Sequence, residues 1–332
     1  MGKIHEAVHE DSLVQGLQTE KRLLEKKYKV ALQQVARLRK EMATAELIGK
    51  SVETHVIAPY KPNGTSEATA IVLASDWHVE ESVRKASVNG VNEYNLDIAK
   101  QRADTFFARI ERLVEVFQKD IAIPHVVLAL LGDFLTNNLH EESAEDNNLH
   151  PVQAALYAEE LLMSGIKHLI QSGMKLTIVT ASGNHGRTSK FVHVSHEHGH
   201  SLEYFIYRNI ARAFPKVPVL LHEGAHTYLD VYGRTIRFLH GTEIRYQGGV
   251  GGITIPVNKA IAQWDRLKPA ELTCFGHHHR FMHGGNFVAN GSMIGYNAYA
   301  LSIKAAYERP QQAFFLIDKK RGLTVMAPIL FD

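Results

Sequence analysis

Short polar clusters that directly follow apolar, strand-like runs constrain the fold of this chain more than any other feature. They form five dispersed segments built from Asp, Asn and His, which are Asp76-Trp77-His78, Gly132-Asp133, Gly183-Asn184-His185, His240 and Gly276-His277-His278-His279. Oxygen and imidazole ligands presented from successive strand ends are typical of a site for two divalent metal ions. The pattern therefore predicts strands that end at one common place and build a metal centre there.

The apolar runs in the first half alternate with helix-like segments. Strands are predicted at Thr69–Ser75, Val126–Leu131 and Leu176–Ala181, and helices at Asn95–Gln118, His150–Ser172 and Leu202–Phe214. The second half is rich in strands, predicted at Val219–Leu221, Thr227–Val231, Thr235–Leu239, Leu272–Phe275, Phe287–Ala289, Ala313–Asp318 and Leu323–Ala327, with one helix at Ile255–Leu267. Such an order predicts an α/β domain with mixed sheets.

The N-terminal segment has a different pattern. Apolar or small residues recur at steps of three and four, interrupted only by Lys21, at Val14, Leu17, Leu24, Tyr28, Ala31, Val35, Leu38, Met42 and Ala45. This heptad pattern predicts a coiled coil over residues 1–50, and hence a homo-oligomer. A helix packed on its own domain and a basic helix that binds nucleic acid are the alternatives. Residues 51–69 read as a linker, which leaves 70–332 as the second domain.

Composition narrows the function classes. Lys and Arg number 37 against 35 Asp and Glu, so the net charge of +2 argues against a strongly basic groove. The single Cys274 excludes an intramolecular disulfide and a cysteine-based zinc cluster. No apolar run reaches the roughly 18 residues that span a bilayer, and the charged N-terminus lacks the apolar core of a signal peptide. We therefore expect a cytoplasmic protein with no membrane contact.

The spacing within the clusters indicates how ligands would be shared. Residues i and i+2 at a strand end point to the same side, so Asp76 and His78 could reach one metal. His277 and His279 have the same spacing. The carboxylate of Asp133 could bridge two cations, which lie roughly 3.5–4 Å apart in two-metal sites. Asn184 offers a neutral amide oxygen, and the neighbouring His185 would project toward a substrate.

Taken in order, the five clusters resemble the motifs of the calcineurin-like metallophosphoesterases over residues 70–290. The resemblance implies a two-layered mixed β-sheet core flanked by helices, with the site at the strand ends. It implies one metal on Asp76, His78, Asp133 and His279, and a second on Asp133, Asn184, His240 and His277. It also implies that His185 is the general acid or stabilises transition-state charge. His278 should point away and be structural.

Two positions depart from the family pattern. Gly186 stands where an acid often follows Gly-Asn-His, and Thr136 stands where family members often have Asp or Asn, three residues after the Gly-Asp carboxylate. Both are expected to affect the tuning of the site more than its existence. The stretch after Asp133 also lacks the Arg of the protein Ser/Thr phosphatase branch, which argues against a protein phosphatase.

The predicted chemistry is phosphoester hydrolysis, in which hydroxide from coordinated water attacks phosphorus in line. The ligand set suits Mn²⁺, with Fe or Zn²⁺ as alternatives. A phosphodiesterase or nuclease acting on DNA, RNA or a nucleotide diester is favoured, since Ser75-Asp76-Trp77-His78 is similar to the first motif of the DNA-repair nuclease branch. A small-molecule phosphomonoesterase and a non-enzymatic assembly protein with a structural metal site are the alternatives. Residues that could contact the substrate are His140, Arg187 and Arg245; the arginines could equally be solvated loop cations.

Overall fold

The structure is a computed structural model that describes residues 2–49, 66–139, 145–193, 197–246 and 252–331. Within the first range, side chains are described for residues 13–43. The chain divides into two compact units, Met1–Lys61 and Pro62–Asp332. The predicted linker residues 51–65 and the residue His140 lie outside the described residues.

The first unit contains one long helix, α1, at Gly2–Gly49. Its apolar side chains are solvent-exposed from Leu13 to Met42, including Leu24 at 63% and Leu38 at 57% of their surface. The long N-terminal helix predicted from the sequence is confirmed. Its association into a coiled coil stays a prediction.

In the second unit, a six-stranded sheet has the strand order β11-β10-β1-β2-β3-β4. Strands β1 to β4 run parallel, whereas β10 is antiparallel to β1 and β11 is antiparallel to β10. Their bounds are β1 Ser66–Ala74, β2 Ile121–Leu130, β3 Leu176–Thr180, β4 Val219–Leu220, β10 Gln311–Asp318 and β11 Gly322–Leu330. This arrangement brings the carboxyl ends of β1, β2 and β3 to one edge.

A five-stranded sheet has the order β5-β6-β7-β9-β8, in which β6, β7 and β9 run parallel and the two outer strands run antiparallel to their neighbours. The bounds are β5 Thr227–Val231, β6 Arg234–Phe238, β7 Leu272–Phe275, β8 Met282–His283 and β9 Phe287–Ala289. The mixed direction of both sheets agrees with the sequence pattern of alternating elements followed by a strand-rich second half.

Side-chain alternation along the strands divides the core into layers. In β1, Ile71 and Leu73 face the second sheet, whereas Val72 and Ala74 face the helices, because successive residues point to opposite faces. Helices α2 (Leu96–Phe117), α3 (Pro151–Gln171) and α4 (Leu202–Ala213) cover the first sheet, and α5 (Thr254–Trp264) covers the second. The predicted fold class, a two-layered mixed sheet core flanked by helices, is confirmed.

Several element boundaries differ from the prediction. Strand β2 begins at Ile121 rather than Val126 despite Pro124, which has no N–H for a sheet ladder. Its pairing with β1 is irregular between the Glu67 and Thr69 pairs, and β3 pairs with it only from Val126 onward. Strand β8 and the five-residue helix α6 (Ala298–Ser302) were not predicted, since β8 has a single apolar residue and α6 spans little more than one helical turn. Across the described residues, no helix is both long and apolar enough to cross a membrane.

Candidate metal centre

The polar clusters lie where strands of both sheets end. The backbone N–H of Asp76 donates to the carbonyl of Gly132 at 3.0 Å, which joins the loops after β1 and β2. The N–H of Gly276 donates to the carbonyl of His240 at 2.7 Å, which joins the segments after β7 and β6. The polar residues that follow separate strands are therefore brought to one place by the backbone itself.

The backbone at this place adopts an uncommon conformation. Five of the predicted ligands have positive φ, namely Asp76 at 56°, His78 at 47°, Asp133 at 54°, His277 at 68° and His279 at 50°. A non-glycine residue in this left-handed region costs roughly 1 kcal/mol or more. Such strain persists where the surrounding structure holds it, and it clusters at functional sites.

The first ligand set consists of Asp76, His78 and His279, which offer ligand atoms within 4.8 Å of one another. Asp76 is fully buried, and both its oxygens accept the backbone N–H of His277 at 3.0 Å. His279 Nε2 lies 3.4 Å from Asp76 Oδ1. Burial opposes protonation of His279, but its contact with the Asp76 carboxylate raises the pKa of the imidazole overall.

The tautomer of His78 follows from its neighbours. Thr136 Oγ1 donates to Glu81 Oε2 at 3.1 Å, so it accepts from His78 Nδ1–H at 3.0 Å. His78 Nε2 is then an unprotonated, buried nitrogen that has no hydrogen-bond partner among the described residues. Burial, helped by the nearby His185 and His279, lowers the pKa of His78 well below its usual value. A neutral imidazole with an orphaned buried lone pair fits a metal ligand.

The second ligand set consists of Asp133, His240 and His277, again with ligand atoms within 4.8 Å of one another. His240 Nδ1–H donates to the carbonyl of Leu131 at 2.7 Å, which directs Nε2 toward Asp133 Oδ2 at 2.9 Å. Burial opposes a charge on His240, but the Asp133 carboxylate raises the pKa of this imidazole to about 10. The two residues thus form a buried ion pair.

The other members of this set complete its donor chemistry. Asn184 Oδ1 lies 3.2 Å from His240 Nε2 and accepts from the hydroxyl of Thr242 at 3.1 Å. Burial and the neighbouring His240 lower the pKa of His277 well below its usual value, so this imidazole is neutral. Each set therefore offers one carboxylate and two imidazoles, and the second adds an amide oxygen, which suits divalent transition metals. The structure groups Asp133 with the second set, and its bridging role stays a prediction.

His185 lies between the two sets. Its backbone N–H donates to Asp133 Oδ1 at 2.8 Å, and its ring lies 5.0 Å from that of His78. Its Nδ1–H donates to the carbonyl of Thr136 at 2.9 Å, so Nε2 is the ring nitrogen directed away from that carbonyl. His185 is thus held by the loop that carries Asp133, and among the described hydrogen bonds its ring takes part through Nδ1.

The predicted substrate contacts have different surroundings. The guanidinium of Arg187 donates to the carbonyl of Asn184, so this side chain is bound to the ligand loop itself. Arg245 is exposed. His278 packs against Phe275, with ring centroids 6.1 Å apart, and it does not belong to either ligand set.

Two buried glutamates near the ligands were not predicted from the sequence. Glu80 Oε1 accepts the backbone N–H groups of Thr136 and Asn137 at 2.9 and 2.7 Å. Glu203 accepts N–H groups from two different ligand loops, and burial, reinforced by the charge of Asp133, raises its pKa to about 8. Glu203 occupies the apolar face of α4, in the i, i+3, i+4, i+7 positions shared with Ile206, Tyr207 and Ile210, and this placement was a usable signal.

Close packing at Gly183 shows how tightly the loops meet. A Cβ atom added at this position would lie 2.0 Å from Asp133 Oδ1 and 2.3 Å from the backbone nitrogen of Asp133. Only glycine allows this approach of two backbones. The Gly-Asn-His cluster therefore needs its glycine because the ligand carboxylate of the neighbouring loop fills the space.

Comparisons with known proteins give only distant matches. No family model and no curated protein matches this chain. Solved structures that resemble it include a hypothetical protein from Pyrococcus horikoshii (13% identity, 80% of this chain and 89% of that one, TM-score 0.40). Others are Vps29 from Chaetomium thermophilum (11%, 78% and 94%, TM-score 0.30) and a dimetal phosphatase from Danio rerio (9%, 80% and 99%, TM-score 0.34). The latter two have calcineurin-like metallophosphoesterase folds, but at these scores no activity follows from the likeness.

Proposed function

We propose that this chain is a phosphoesterase that uses two divalent metal ions and belongs with the calcineurin-like metallophosphoesterases. The observation that carries the proposal is the pair of adjacent, buried ligand sets with His185 between them. Asp76, His78 and His279 would hold one ion, Asn184, His240 and His277 the other, and Asp133 would serve both. Bound ions would supply Lewis acidity toward a phosphoryl oxygen and would acidify water. Mn²⁺ is the favoured metal, with Fe or Zn²⁺ as alternatives.

His185 is the proposed catalytic residue. Its Nδ1–H is held by the Thr136 carbonyl, so Nε2 is the atom that can meet a substrate oxygen. A protonated Nε2 would donate to the oxygen that leaves phosphorus, as a general acid does. The backbone bond from His185 to Asp133 keeps this ring at a fixed place beside the ligands, which supports a role in orientation as well as in proton donation.

The charges around the ligands favour a phosphodiester over a phosphomonoester. Glu81 is one hydrogen bond from Thr136, whose hydroxyl contacts the ligand His78. Burial raises the pKa of Glu197 to about 7, and the nearby carboxylates of Glu243 and Asp133 reinforce this shift. A carboxyl group with a pKa of about 7 is about half ionised at neutral pH, and this partial charge repels a monoester, which carries about two negative charges, more than a singly charged diester. DNA, RNA or a nucleotide diester is therefore the proposed substrate class.

Hydrolysis of two chromogenic esters tests this function. Metal-stripped protein should be inactive on bis-p-nitrophenyl phosphate and p-nitrophenyl phosphate, and added Mn²⁺ should restore activity with a preference for the diester. Metal content is measured on the same samples by mass spectrometry. A preference for the monoester would instead favour a phosphomonoesterase. Full metal loading without hydrolysis of either ester would favour a structural metal site in an assembly protein.

A further inference from the structure

Glu203 is a carboxylate buried in a helix face that is otherwise apolar. It lies in the first turn of α4 and has no exposed surface. Burying a carboxylate costs several kcal/mol unless its oxygens are well hydrogen-bonded. This carboxylate therefore has a specific set of partners that keeps it inside the protein.

Those partners belong to the two loops that carry second-set ligands. The N–H of Phe134, the residue after Asp133, donates to Glu203 Oε1 at 2.7 Å. The N–H of Gly183, the residue before Asn184, donates to Glu203 Oε2 at 2.6 Å. One rigid carboxyl group thus joins the loop after β2 to the loop after β3. The separation of these loops determines how far Asp133 lies from Asn184.

The space around Gly186 belongs to the same carboxyl group. A Cβ atom added at Gly186 would lie 2.7 Å from Glu203 Cγ and 2.9 Å from its Cδ. Gly186 does not have a positive φ, so its backbone could carry a side chain without strain. The glycine therefore leaves room for a carboxylate that reaches the loops from α4 instead of from residue 186.

We propose that Glu203 is a positioning residue for the second ligand set, in which its carboxyl group fixes the spacing of Asp133 and Asn184. This rests on the proposed function, because it takes both residues as metal ligands. Among the described contacts, Glu203 bonds to neither of the loops that carry Asp76, His78 and His279. The influence of Glu203 should therefore be larger at the second set than at the first, which would share only Asp133 with it.

The main test is calorimetric titration of metal-free Glu203→Gln with Mn²⁺ alone. Glutamine keeps the shape of the side chain but replaces one acceptor oxygen with a donor, so it can accept only one of the two N–H groups. We expect the affinity of one site to fall by about 10- to 100-fold, the usual effect of removing a partner that orients a ligand. The other site should lose less affinity, because Asp133 is the one ligand that it would share with the second set.

A matched control tests whether any carboxylate bound to α4 would have this effect. Glu159 lies in α3, and its Oε2 accepts from Asn209 Nδ2 of α4 at 2.9 Å. None of its described hydrogen bonds reaches a ligand loop. Glu159→Gln should bind Mn²⁺ at both sites as the wild type does.

Moving the carboxylate separates positioning from packing. Glu203→Ala should lose affinity at the second site, and adding Gly186→Glu to it should recover a measurable part of that affinity. Gly186→Glu alone should lose affinity, since two carboxylates would share one space. Thermal midpoints of all variants report whether each protein is folded.

Several results would overturn the inference. Wild-type affinity at both sites in Glu203→Gln would do so, and so would equal loss at both sites without recovery in the double variant. Failure of the wild type to hydrolyse either ester would remove the proposed function but would leave these titrations to decide the role of Glu203. A wild type that takes up no Mn²⁺ would overturn both.

Discussion

Helix α1 and the metal centre each reverse the usual distribution of side chains between surface and interior. In α1, large apolar side chains such as Leu17 and Leu38 are exposed. At the metal centre, Asp76 and Asp133 are buried, with at most 2% of their surface exposed. Buried polar groups and exposed apolar surfaces are the informative exceptions to the ordinary pattern.

The difference lies in the kind of partner that each region would bind. Burying carboxylates and imidazoles is unfavourable in free energy, and a bound cation offsets this. These side chains hold the cation at defined ligand atoms. Exposure of an apolar stripe to water is also unfavourable, and burial against another apolar surface removes that exposure. The hydrophobic effect is non-directional, so it does not require particular partner atoms. The ligand sets would therefore select a partner by its charge and coordination, whereas α1 would select only for an apolar surface.

Removing the charge of Asp133 should cause the largest loss of hydrolysis and of metal affinity. Asp133→Asn should lower hydrolysis by about 10³-fold or more, since losing a ligand charge worth several kcal/mol corresponds to that factor. Mn²⁺ affinity should fall at both sites if Asp133 serves both ions. Steady-state kinetics and calorimetry measure the two effects. Loss at one site only would remove the bridging role.

Replacing His185 should separate chemistry from metal binding. We expect His185→Ala to bind two Mn²⁺ ions but to lose about 10²- to 10⁴-fold in kcat, the range for a general acid. His168→Ala is the control, because His168 is exposed and pairs with Glu111 at 2.8 Å. Unchanged turnover in His185→Ala would remove this residue from the mechanism.

Acidity should weaken metal binding at the second set. The pKa of His240 is raised to about 10 in the metal-free protein, so at neutral pH a metal must displace its proton. The affinity for Mn²⁺ should therefore rise by about tenfold per pH unit between about pH 7 and 9, with one proton released. Calorimetry in two buffers of different ionisation enthalpy measures the proton. Affinity that does not change with pH would contradict the buried ion pair.

Changes in α1 should have the smallest effect on hydrolysis. Leu24 lies on the predicted heptad seam and Leu23 beside it, with 63% and 55% of their surfaces exposed. Leu24→Asp should lower the mass in light scattering, and Leu23→Asp should not, because only the seam faces a partner helix in a coiled coil. Both variants should hydrolyse the diester like the wild type. An equal mass for the wild type and Leu24→Asp would contradict self-association through this seam.

The local pattern of apolar and polar residues predicted most of the strands and helices that carry the candidate site. The apolar runs before Asp76, Asp133 and Asn184 are all strands, as their length and composition indicated. Elements β8 and α6 were missed, because β8 has a single apolar residue and five residues of α6 span little more than one helical turn. The role of Glu203 was also missed, although an acid on the apolar face of a predicted helix could have drawn attention to it.

Gly186 is a departure from the metallophosphoesterase pattern, and the structure places a carboxyl group from another helix beside it. An acid often follows Gly-Asn-His in that family, and this chain has Gly186 there. The structure has Glu203 in contact range of that glycine, bonded to both ligand loops. Only the packing of α4 against the sheet ends reveals this, since residues 186 and 203 are connected by no local pattern.

The sequence by itself determined the strands, the helices and the types of ligand, because these follow from side-chain periodicity and from residue chemistry. Only the tertiary structure decided which ligands are neighbours. Asp76 meets His279 across both sheets, and the order of the strands sets that distance. It also decided the states of the imidazoles, since burial leaves His78 neutral whereas Asp133 raises the pKa of His240. The protonation of a buried imidazole depends on the solvation and the charges around it. Residues from distant parts of the chain provide both, so no single segment of the sequence predicts them.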